Sequence, residues 1–451
     1  MSAAKSPAVA ADDPKLQGPV IAMSSQGSAS LSRQDLKTLS LAALGGALEF
    51  YDFILFVYLA EQIGTLFFPA STAPWLRELQ TWGVFAAGYF ARPLGGVVMA
   101  HFGDKTGRKR MFTLSVFLMA VPTLLIGLLP TYAQIGYLAP IALLLLRIVQ
   151  GAAVGGEVPG AWTFVAEHVP ATRTAFACGT LTSGLTLGIL AGSLLAATLN
   201  TALTPAQMLD YGWRIPFLVG GVFGFFAVLL RRMLAETPVF EELRRRRELS
   251  RELPLAAALR GHGGAVLACV ALTWVLTAAI VVMILMTPKL IQKLDGIAPA
   301  IAFTADTIAT VGLALGNLGF GLAADRFGTT RVSALGCAVL IGVVYAFYLG
   351  VAAAPQYLYP LSFVAGLSVG VVSVIPTLLV RAFPAPVRFT GVAFSYNLAY
   401  AVFGGLTPIF IGWVLKFDRL APAHYVAALC LLGIAVVLLN ARQRSYAPSF
   451  A

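Results

Sequence analysis

The sequence predicts an all-α integral membrane protein whose twelve membrane-spanning helices form two pseudo-symmetric six-helix bundles. The first observation is composition: the 451 residues are 58% hydrophobic and only 11% charged, whereas soluble domains average about 25% charged residues. The second is a series of apolar stretches from residue 38 onward, each near the ~20 residues that a helix needs to cross the hydrocarbon. The third is that sequence blocks of the first half recur in the second.

The apolar stretches are too long and too Gly-rich for barrel strands, which alternate over about 9–11 residues. They lie near residues 38–61, 79–100, 111–130, 139–165, 175–199, 213–231, 262–288, 302–323, 332–352, 356–380, 390–414 and 423–440. Five segments follow from these bounds. They are a disordered cytoplasmic tail (1–36), an N-terminal six-helix bundle (37–231), a cytoplasmic linker with an amphipathic helix (232–261), a C-terminal six-helix bundle (262–440) and a short cytoplasmic tail (441–451).

Two blocks reveal the internal repeat. The charged turn that runs from Asp104 to Arg110 returns in weaker form 221 residues later, at Asp325. The small-residue run that begins at Gly151 returns 215 residues later, at Gly366. Repeats of this kind place the substrate near the bilayer midplane between the halves, and they imply transport by alternating access.

The distribution of basic residues predicts the orientation. The side that holds the N-terminal tail carries 23 of the 31 Lys and Arg residues, and the other side carries 6. Cytoplasmic loops are the basic ones, so both termini are expected in the cytoplasm. The net charge of +11 then reflects topology and contact with anionic lipid, and a nucleic-acid partner is not needed to explain it. The Arg-rich linker around Leu243 predicts an amphipathic surface helix.

Five charged residues fall inside the predicted spans of the first half: Glu49, Asp52, Arg92, Arg147 and Glu157. Each costs about 2.5–3.5 kcal/mol at a helix centre, so function is sought there. Glu49 and Asp52 are three residues apart and share a helical face. We predict a contact between Asp52 and Arg147, and a contact of Arg92 with Glu49 or Glu157.

Three carboxylates against two guanidiniums leave an excess charge of −1 in a medium of low dielectric constant. Desolvation favours a neutral carboxyl, whereas arginine stays charged, so one carboxyl is expected to carry a proton. If a second carboxyl is also protonated, the site becomes net positive and attracts an anion. A static ion-pair network that only locks the helices is the alternative.

The chain resembles the metabolite:proton symporter family of the major facilitator superfamily over about residues 38–440. The blocks that carry this resemblance, besides the charged turn, are Leu48 to Phe53, Ala91 to Gly96, Arg147 to Gly151, Gly155 to Glu157, Gly212 to Phe217 and Glu236 to Pro238. The resemblance implies a bacterial inner-membrane uptake system of twelve helices, driven by the proton gradient. Members of this family carry citrate, α-ketoglutarate, shikimate, or proline and betaine.

The resemblance also implies roles for particular residues. Asp104, Gly107 and Arg108 would latch the cytoplasmic side shut in the outward-facing state. Arg147 would match the arginine that the superfamily associates with proton coupling, paired with an acid of the first helix. The second copy of the turn, at Asp325 and Arg326, lacks the basic cluster, so a latch there is a weaker expectation.

Polar and aromatic side chains complete the predicted substrate site. Tyr396 and Tyr400 are four residues apart and share a helical face, although packing between helices is an equally open reading of them. The other candidates are Tyr51, Gln150, Trp274, Thr277, Asn317 and Asn397.

The sequence thus predicts a monomeric, proton-coupled symporter that imports a small organic anion (a mono-, di- or tricarboxylate). It uses protons and membrane lipids as partners and needs no cofactor besides the proton gradient. The four cysteines and four histidines lack metal-ligand spacing, and no nucleophile–base set predicts an enzyme. Two alternatives stay open: transport of a zwitterion or neutral solute such as betaine or proline, and a membrane receptor that does not transport.

Overall fold

The computed structural model describes residues 31–246 and 254–446, and nearly all of this chain is helical. The side chains of Glu49 and Asp52 lie outside the described residues. The first half consists of α1 (Arg33–Tyr58), α2 (Pro74–Thr106), α3 (Arg108–Leu128), α4 (Leu138–His168), α5 (Thr174–Ala202) and α6 (Arg214–Arg232). A short linker helix, Pro238–Arg246, follows.

The second half repeats this arrangement, with three of its helices interrupted by tighter or wider turns. It consists of α7 (Pro254–Ile280, continuing through Val281–Met286 to Thr287–Asp295), α8 (Pro299–Phe327), α9 (Thr329–Ala353), α10 (Leu358–Val369, continuing through Gly370–Val374 to Ile375–Ala382), α11 (Arg388–Ala399, continuing through Tyr400–Gly404 to Gly405–Val414) and α12 (Ala421–Tyr446).

Eleven helical segments of the described chain are long and apolar enough to cross a membrane. The remaining long helix, α1, contains Glu49 and Asp52, which lower its hydropathy, yet it lies in the bundle against α5 and α6. The predicted all-α membrane fold of twelve helices in two halves is therefore confirmed. Three segment boundaries differ from the prediction. The helix α1 begins at Arg33, inside the predicted tail, because Ser32 and Asp35 form a capping box there. The helix α7 begins at Pro254, inside the predicted linker, and α12 extends to Tyr446, inside the predicted C-terminal tail. Residues 1–30 lie outside the described chain.

The linker helix is amphipathic, as the Arg-rich pattern predicts. Its Phe240 and Leu243 side chains are buried, and the helix contacts both α4 and the turn Ala385–Val387 before α11. Arg244, Arg245 and Arg246 face solvent. The linker helix therefore touches both halves at one end of the bundle.

Backbone contacts between helices show that the sequence repeat is also a structural repeat. A Cβ atom on Gly151 of α4 would collide with the carbonyl oxygen of Gly88 in α2, and a Cβ atom on Gly366 of α10 would collide with that of Ala309 in α8. Gly88 and Ala309 are 221 residues apart, the offset of the charged turns. In both halves a glycine thus allows two helices to touch backbone to backbone.

We expect Gly151→Ala and Gly366→Ala each to destabilise the protein by about 1–3 kcal/mol, since an added methyl group would force two helices apart. Thermal unfolding in detergent measures the effect. Gly342→Ala, in α9, is the control, because no atom lies within 4 Å of the added group. Equal unfolding midpoints for all three variants would contradict the close contact.

Candidate functional site

Hydrogen bonds between the two halves cluster at the end of the bundle that carries both charged turns, here called the basic end. Asp104, at the end of α2, accepts hydrogen bonds from the backbone N–H (2.9 Å) and hydroxyl (2.8 Å) of Thr390 in α11. Asp325, at the end of α8, accepts from the N–H groups of Ala175 (2.9 Å) and Phe176 (3.0 Å) in α5. A carboxylate satisfies free N–H groups at a helix N-terminus and stabilises the helix dipole. Each half therefore caps a helix of the other.

A chain of buried charges reinforces the Asp104 cap. Nη2 of Arg108 lies 3.5 Å from Oδ1 of Asp104 and donates to the carbonyl oxygen of Ala385 across the interface at 2.7 Å. The same guanidinium pairs with Glu167, and Glu167 pairs with Arg388 of the other half at 2.6 Å. The alternating signs leave each charge beside an opposite one, as burial requires.

The turn itself depends on Gly107, which has φ +123°. A Cβ atom at this position would lie 2.5 Å from Oε2 of Glu236. Oε1 of Glu236 accepts from the N–H groups of Arg108 (3.1 Å), Lys109 (3.0 Å) and Thr237 (2.9 Å). Glu236 thus caps α3, a role that the sequence analysis did not assign to the Glu236 to Pro238 block.

The second charged turn forms its inter-half cap without a basic cluster. Asp325 accepts two backbone hydrogen bonds from α5, as described above. Arg326, by contrast, is exposed, and its guanidinium lies 5.3 Å from the ring centre of its neighbour Phe327. Among the described contacts between the halves, Asp325 contributes and Arg326 does not.

Two buried arginines border one cavity deeper in the first half. Arg92 of α2 and Arg147 of α4 are each 3% exposed, and both line a small cavity with Gln150. Nη1 of Arg147 donates to Oε1 of Gln150 at 2.9 Å, and Nε2 of Gln150 donates to Oγ1 of Thr123 at 2.9 Å. These hydrogen bonds fix the orientation of the guanidinium on the wall of the cavity.

Aromatic rings connect Arg92 to the other half. Its guanidinium carbon lies 4.5 Å from the ring centre of Tyr89 and 5.4 Å from that of Tyr400 in α11. The ring of Tyr400 lies 5.1 Å from that of Tyr396, and Tyr396 lies 5.1 Å from Trp162 of α4. The prediction that the two tyrosines share a face is confirmed, and both rings pack against helices of the first half.

Glu157 has a partner that the sequence analysis did not foresee. Its carboxylate contacts Arg231 near the end of α6 and accepts a hydrogen bond from Ser115, and both members of the ion pair are fully buried. Arg231 also donates to the carbonyl oxygen of Phe112 at 2.8 Å, and its guanidinium lies 3.6 Å from that ring.

This pair changes two earlier expectations. The partner of Glu157 is Arg231, so the predicted contact between Arg92 and Glu157 is wrong. The alternative contact with Glu49, like the contact between Asp52 and Arg147, lies outside the described side chains. Arg231, the last residue of the predicted N-terminal bundle, is fully buried and forms this ion pair. The charge count that predicted an excess of one negative charge therefore left out one guanidinium, that of Arg231.

Two of the predicted substrate residues join the halves. The side-chain amide of Asn317 donates to Thr186 of α5 at 3.1 Å, and that of Asn397 donates to the carbonyl oxygen of Gly155 in α4 at 2.7 Å. Both amides are fully buried. They lie in helix contacts between α8 and α5 and between α11 and α4.

The remaining candidates contact helices of their own half. Nε1 of Trp274 donates to the hydroxyl of Tyr425 at 2.8 Å, while its ring stacks 3.9 Å from Phe403. The hydroxyl of Tyr51 donates to the carbonyl oxygen of Pro216 at 3.0 Å. Thr277 donates to the preceding turn of α7. The structure thus brings Arg92, Arg147, Gln150 and Tyr400 together and places the other candidates in contacts between helices.

The two six-helix halves cap each other's helices at the basic end, and two buried arginines lie deeper in the bundle. These features define a solute transporter of the major facilitator type. The model of the family "Sugar (and other) transporter" matches residues 38–263. The chain belongs to this family of the major facilitator superfamily.

Similar proteins agree with this assignment. The chain is 34% identical over 412 residues to a Staphylococcus aureus (strain COL) protein named "Putative proline/betaine transporter", with 89% of this chain and 87% of that protein covered. It is 32% identical over 429 residues to the shikimate transporter of Escherichia coli (strain K12), with 92% and 96% covered. It is 34% identical over 421 residues to the ectoine/proline transporter ProP of Corynebacterium glutamicum, with 88% and 82% covered. The predicted family resemblance is confirmed.

Solved structures confirm the fold. The proton:xylose symporter XylE bound to 6-bromo-6-deoxy-D-glucose matches with a TM-score of 0.73 at 17% identity, covering 92% of this chain and 96% of that one. FucP in the outward conformation matches with a TM-score of 0.68 at 16% identity, covering 91% and 99%.

We expect Asp325→Asn to open the basic end more often, because it removes the charge that caps α5. Cys178, three residues beyond the capped N–H of Ala175, is fully buried and reports this opening. Loss of a cap worth about 1 kcal/mol should raise the rate of maleimide modification of Cys178 about fivefold, as measured by peptide mass spectrometry. The exposed neighbour provides the control: Arg326→Gln should leave the rate unchanged, and an equal effect of both variants would contradict the cap.

We expect Glu157→Gln and Arg231→Gln each to destabilise the protein by about 3–5 kcal/mol, since each leaves a buried charge without its partner. The double variant should recover more than half of that loss. Thermal unfolding of the four proteins in detergent tests this, with Arg244→Gln on the exposed face of the linker helix as the control. Additive losses in the double variant would show that the two side chains do not depend on each other.

Proposed function

We propose that this chain is a monomeric, proton-coupled symporter that imports a small organic anion across the bacterial plasma membrane by alternating access. The observation that carries the proposal is the position of two buried guanidiniums on one cavity, with Arg92 also in contact with α11 of the other half. The residues that line the cavity belong to the first half, and a solute bound to Arg92 would act on the second half through the contact of Arg92 with Tyr400, so its binding could change the relative position of the halves.

The chemistry of arginine supports a carboxylate as the recognised group, because its planar fork binds carboxylates through two parallel hydrogen bonds. The names of the relatives are consistent with this, since shikimate, proline, betaine and ectoine all carry a carboxylate. In this proposal Arg92 and Arg147 bind the anion, Gln150 and Tyr51 shape the first-half wall, and Trp274, Asn317, Tyr396, Asn397 and Tyr400 act from the second half.

A zwitterionic substrate is the second candidate, and one observation favours it. Tyr89, Tyr400, Tyr396 and Trp162 form a row of rings beside Arg92. Aromatic faces attract quaternary ammonium groups. A betaine-like solute could therefore place its carboxylate on an arginine and its cationic group on the rings.

Proton coupling is assigned to Asp52 and Glu49 on α1, with Glu157 as a further acid and Arg147 as their counter-charge. With Arg231 included, three acids and three guanidiniums give a neutral cluster when all the acids are ionised. One proton on Asp52 or Glu49 then makes the cluster net positive, and an anion is attracted to it. A single protonation would thus link the proton to the substrate.

The gate is assigned to the basic end, where Asp104, Gly107, Arg108 and Asp325 hold the halves together. The excess of Lys and Arg there supports a cytoplasmic location for this end and for both termini. The closed basic end then belongs to a state that admits solute from the outside.

Uptake into proteoliposomes tests the proposal with labelled shikimate, citrate, proline and betaine. We expect an inward proton gradient to drive accumulation of a carboxylate, and Arg147→Lys to lower uptake at least tenfold, because lysine lacks the fork. Asp52→Asn should abolish gradient-driven accumulation but keep exchange of labelled for unlabelled solute. Arg244→Gln is the control. Uptake that only equalises the solute concentration, whether or not a proton gradient is imposed, would contradict symport. Saturable binding with no uptake would favour a receptor.

A further inference from the structure

An open groove lies away from the proposed transport site, between α3 and α6 at the basic end. Its volume is about 620 Å³. Its upper rim carries Lys109, Arg110 and Arg232, and its lower wall includes Leu114 and Phe117. We propose that this groove binds an anionic phospholipid, with the phosphate on the basic rim and an acyl chain on the apolar wall.

The charge of the rim suits a phosphodiester. Arg110 and Arg232 are exposed and Lys109 is half-buried, and they approach the groove from two helices. Glu236 also borders the groove, but its carboxylate is occupied by three backbone N–H groups, as described above. Even when Glu236 is counted, the rim keeps a net charge of +2. Basic pockets between helices on the cytoplasmic side are typical sites for anionic headgroups.

The depth of the apolar wall identifies a lipid rather than free phosphate. Leu114 and Phe117 follow Arg110 by four and seven residues along α3, which places them about 6 and 10 Å deeper. Both side chains are exposed, and Phe117 packs edge-on against Phe225 of α6. A headgroup held on the rim would therefore lay its chain over these rings, where a soluble anion would gain nothing.

Thr113 supplies an independent indication of a ligand. Its Oγ1 is buried beside the groove and has no hydrogen-bond partner among the described residues. Many other threonines in these helices donate to the carbonyl oxygen one turn earlier, as Thr123 does to Met119. A buried hydroxyl without a partner is costly, and a phosphate or ester oxygen in the groove would satisfy it.

The position of the groove connects lipid binding to the gate. Lys109 follows Arg108, which holds the two halves together, and Arg232 follows Arg231, which pairs with Glu157. A phosphate on Lys109 and Arg232 would tie the start of α3 to the end of α6. Because α3 and α6 belong to the same half, this bridge would fix the start of α3, and with it Arg108, in position for its contact with the other half. This inference depends on the membrane fold and not on the identity of the transported solute.

Native mass spectrometry of the full chain in detergent tests the site with phosphatidylglycerol and phosphatidylcholine as probes. The wild type is expected to bind phosphatidylglycerol at least tenfold more tightly. The triple variant K109Q/R110Q/R232Q should lose that preference, since each basic residue near a headgroup contributes about a fivefold factor in affinity. Arg232→Gln alone leaves the sequence of the gate turn unchanged and should weaken binding about fivefold. This single variant tests the groove even if the triple variant does not fold. Thr113→Val should weaken it by a smaller factor.

The matched control is R244Q/R245Q/R246Q, which removes the same charge from the linker helix. It should keep the preference, and an equal loss in both triple variants would show that general surface charge, not the groove, attracts the lipid. Competition by soluble glycerol phosphate would overturn the assignment of a lipid. A change in oligomeric state with unchanged lipid retention would instead make the groove an interface between two copies of this chain.

Discussion

The two halves are held together by reciprocal helix capping. A carboxylate at the end of α2 binds the start of α11, and a carboxylate at the end of α8 binds the start of α5. Asp104 and Asp325 both accept hydrogen bonds from backbone N–H groups of the other half. The contact therefore ties the local stability of two helices to the relative position of the halves, so helix ends and domain position change together.

The charges inside the first half follow a similar logic. Arg231 and Glu157 are fully buried and belong to α6 and α4, with Ser115 of α3 as a third contact. Replacing such a pair with apolar residues can be neutral, whereas removing one member is costly. The pair thus contributes more to specifying how three helices fit together than to stability.

Hydropathy and the repeated turns predicted the fold, because the composition of the sequence identifies membrane spans and the spacing of the charged turns identifies the repeat. Arg231 could not be predicted in the same way. It precedes Arg232 in what reads as a basic loop, and only the rotation of α6 buries the first and exposes the second. The sequence also could not show whether the amides of Asn317 and Asn397 bind a substrate or join two helices. An amide in a membrane helix suits both a polar solute and a neighbouring carbonyl, and the choice depends on which face meets the other half.

The two caps differ in their surroundings, and this difference bears on how the basic end opens. Asp104 is buried and shares Arg108 with the ion pairs of Glu167 and Arg388, so its release requires several charges to be hydrated together. Asp325 is half-buried, and water can replace its two backbone hydrogen bonds one at a time. Each cap is worth about 0.5–2 kcal/mol, a size that differential binding of a solute can offset. If the halves separate at this end, as the proposed transport cycle requires, the Asp325 cap would therefore be released before the Asp104 network, where several charges must be hydrated together.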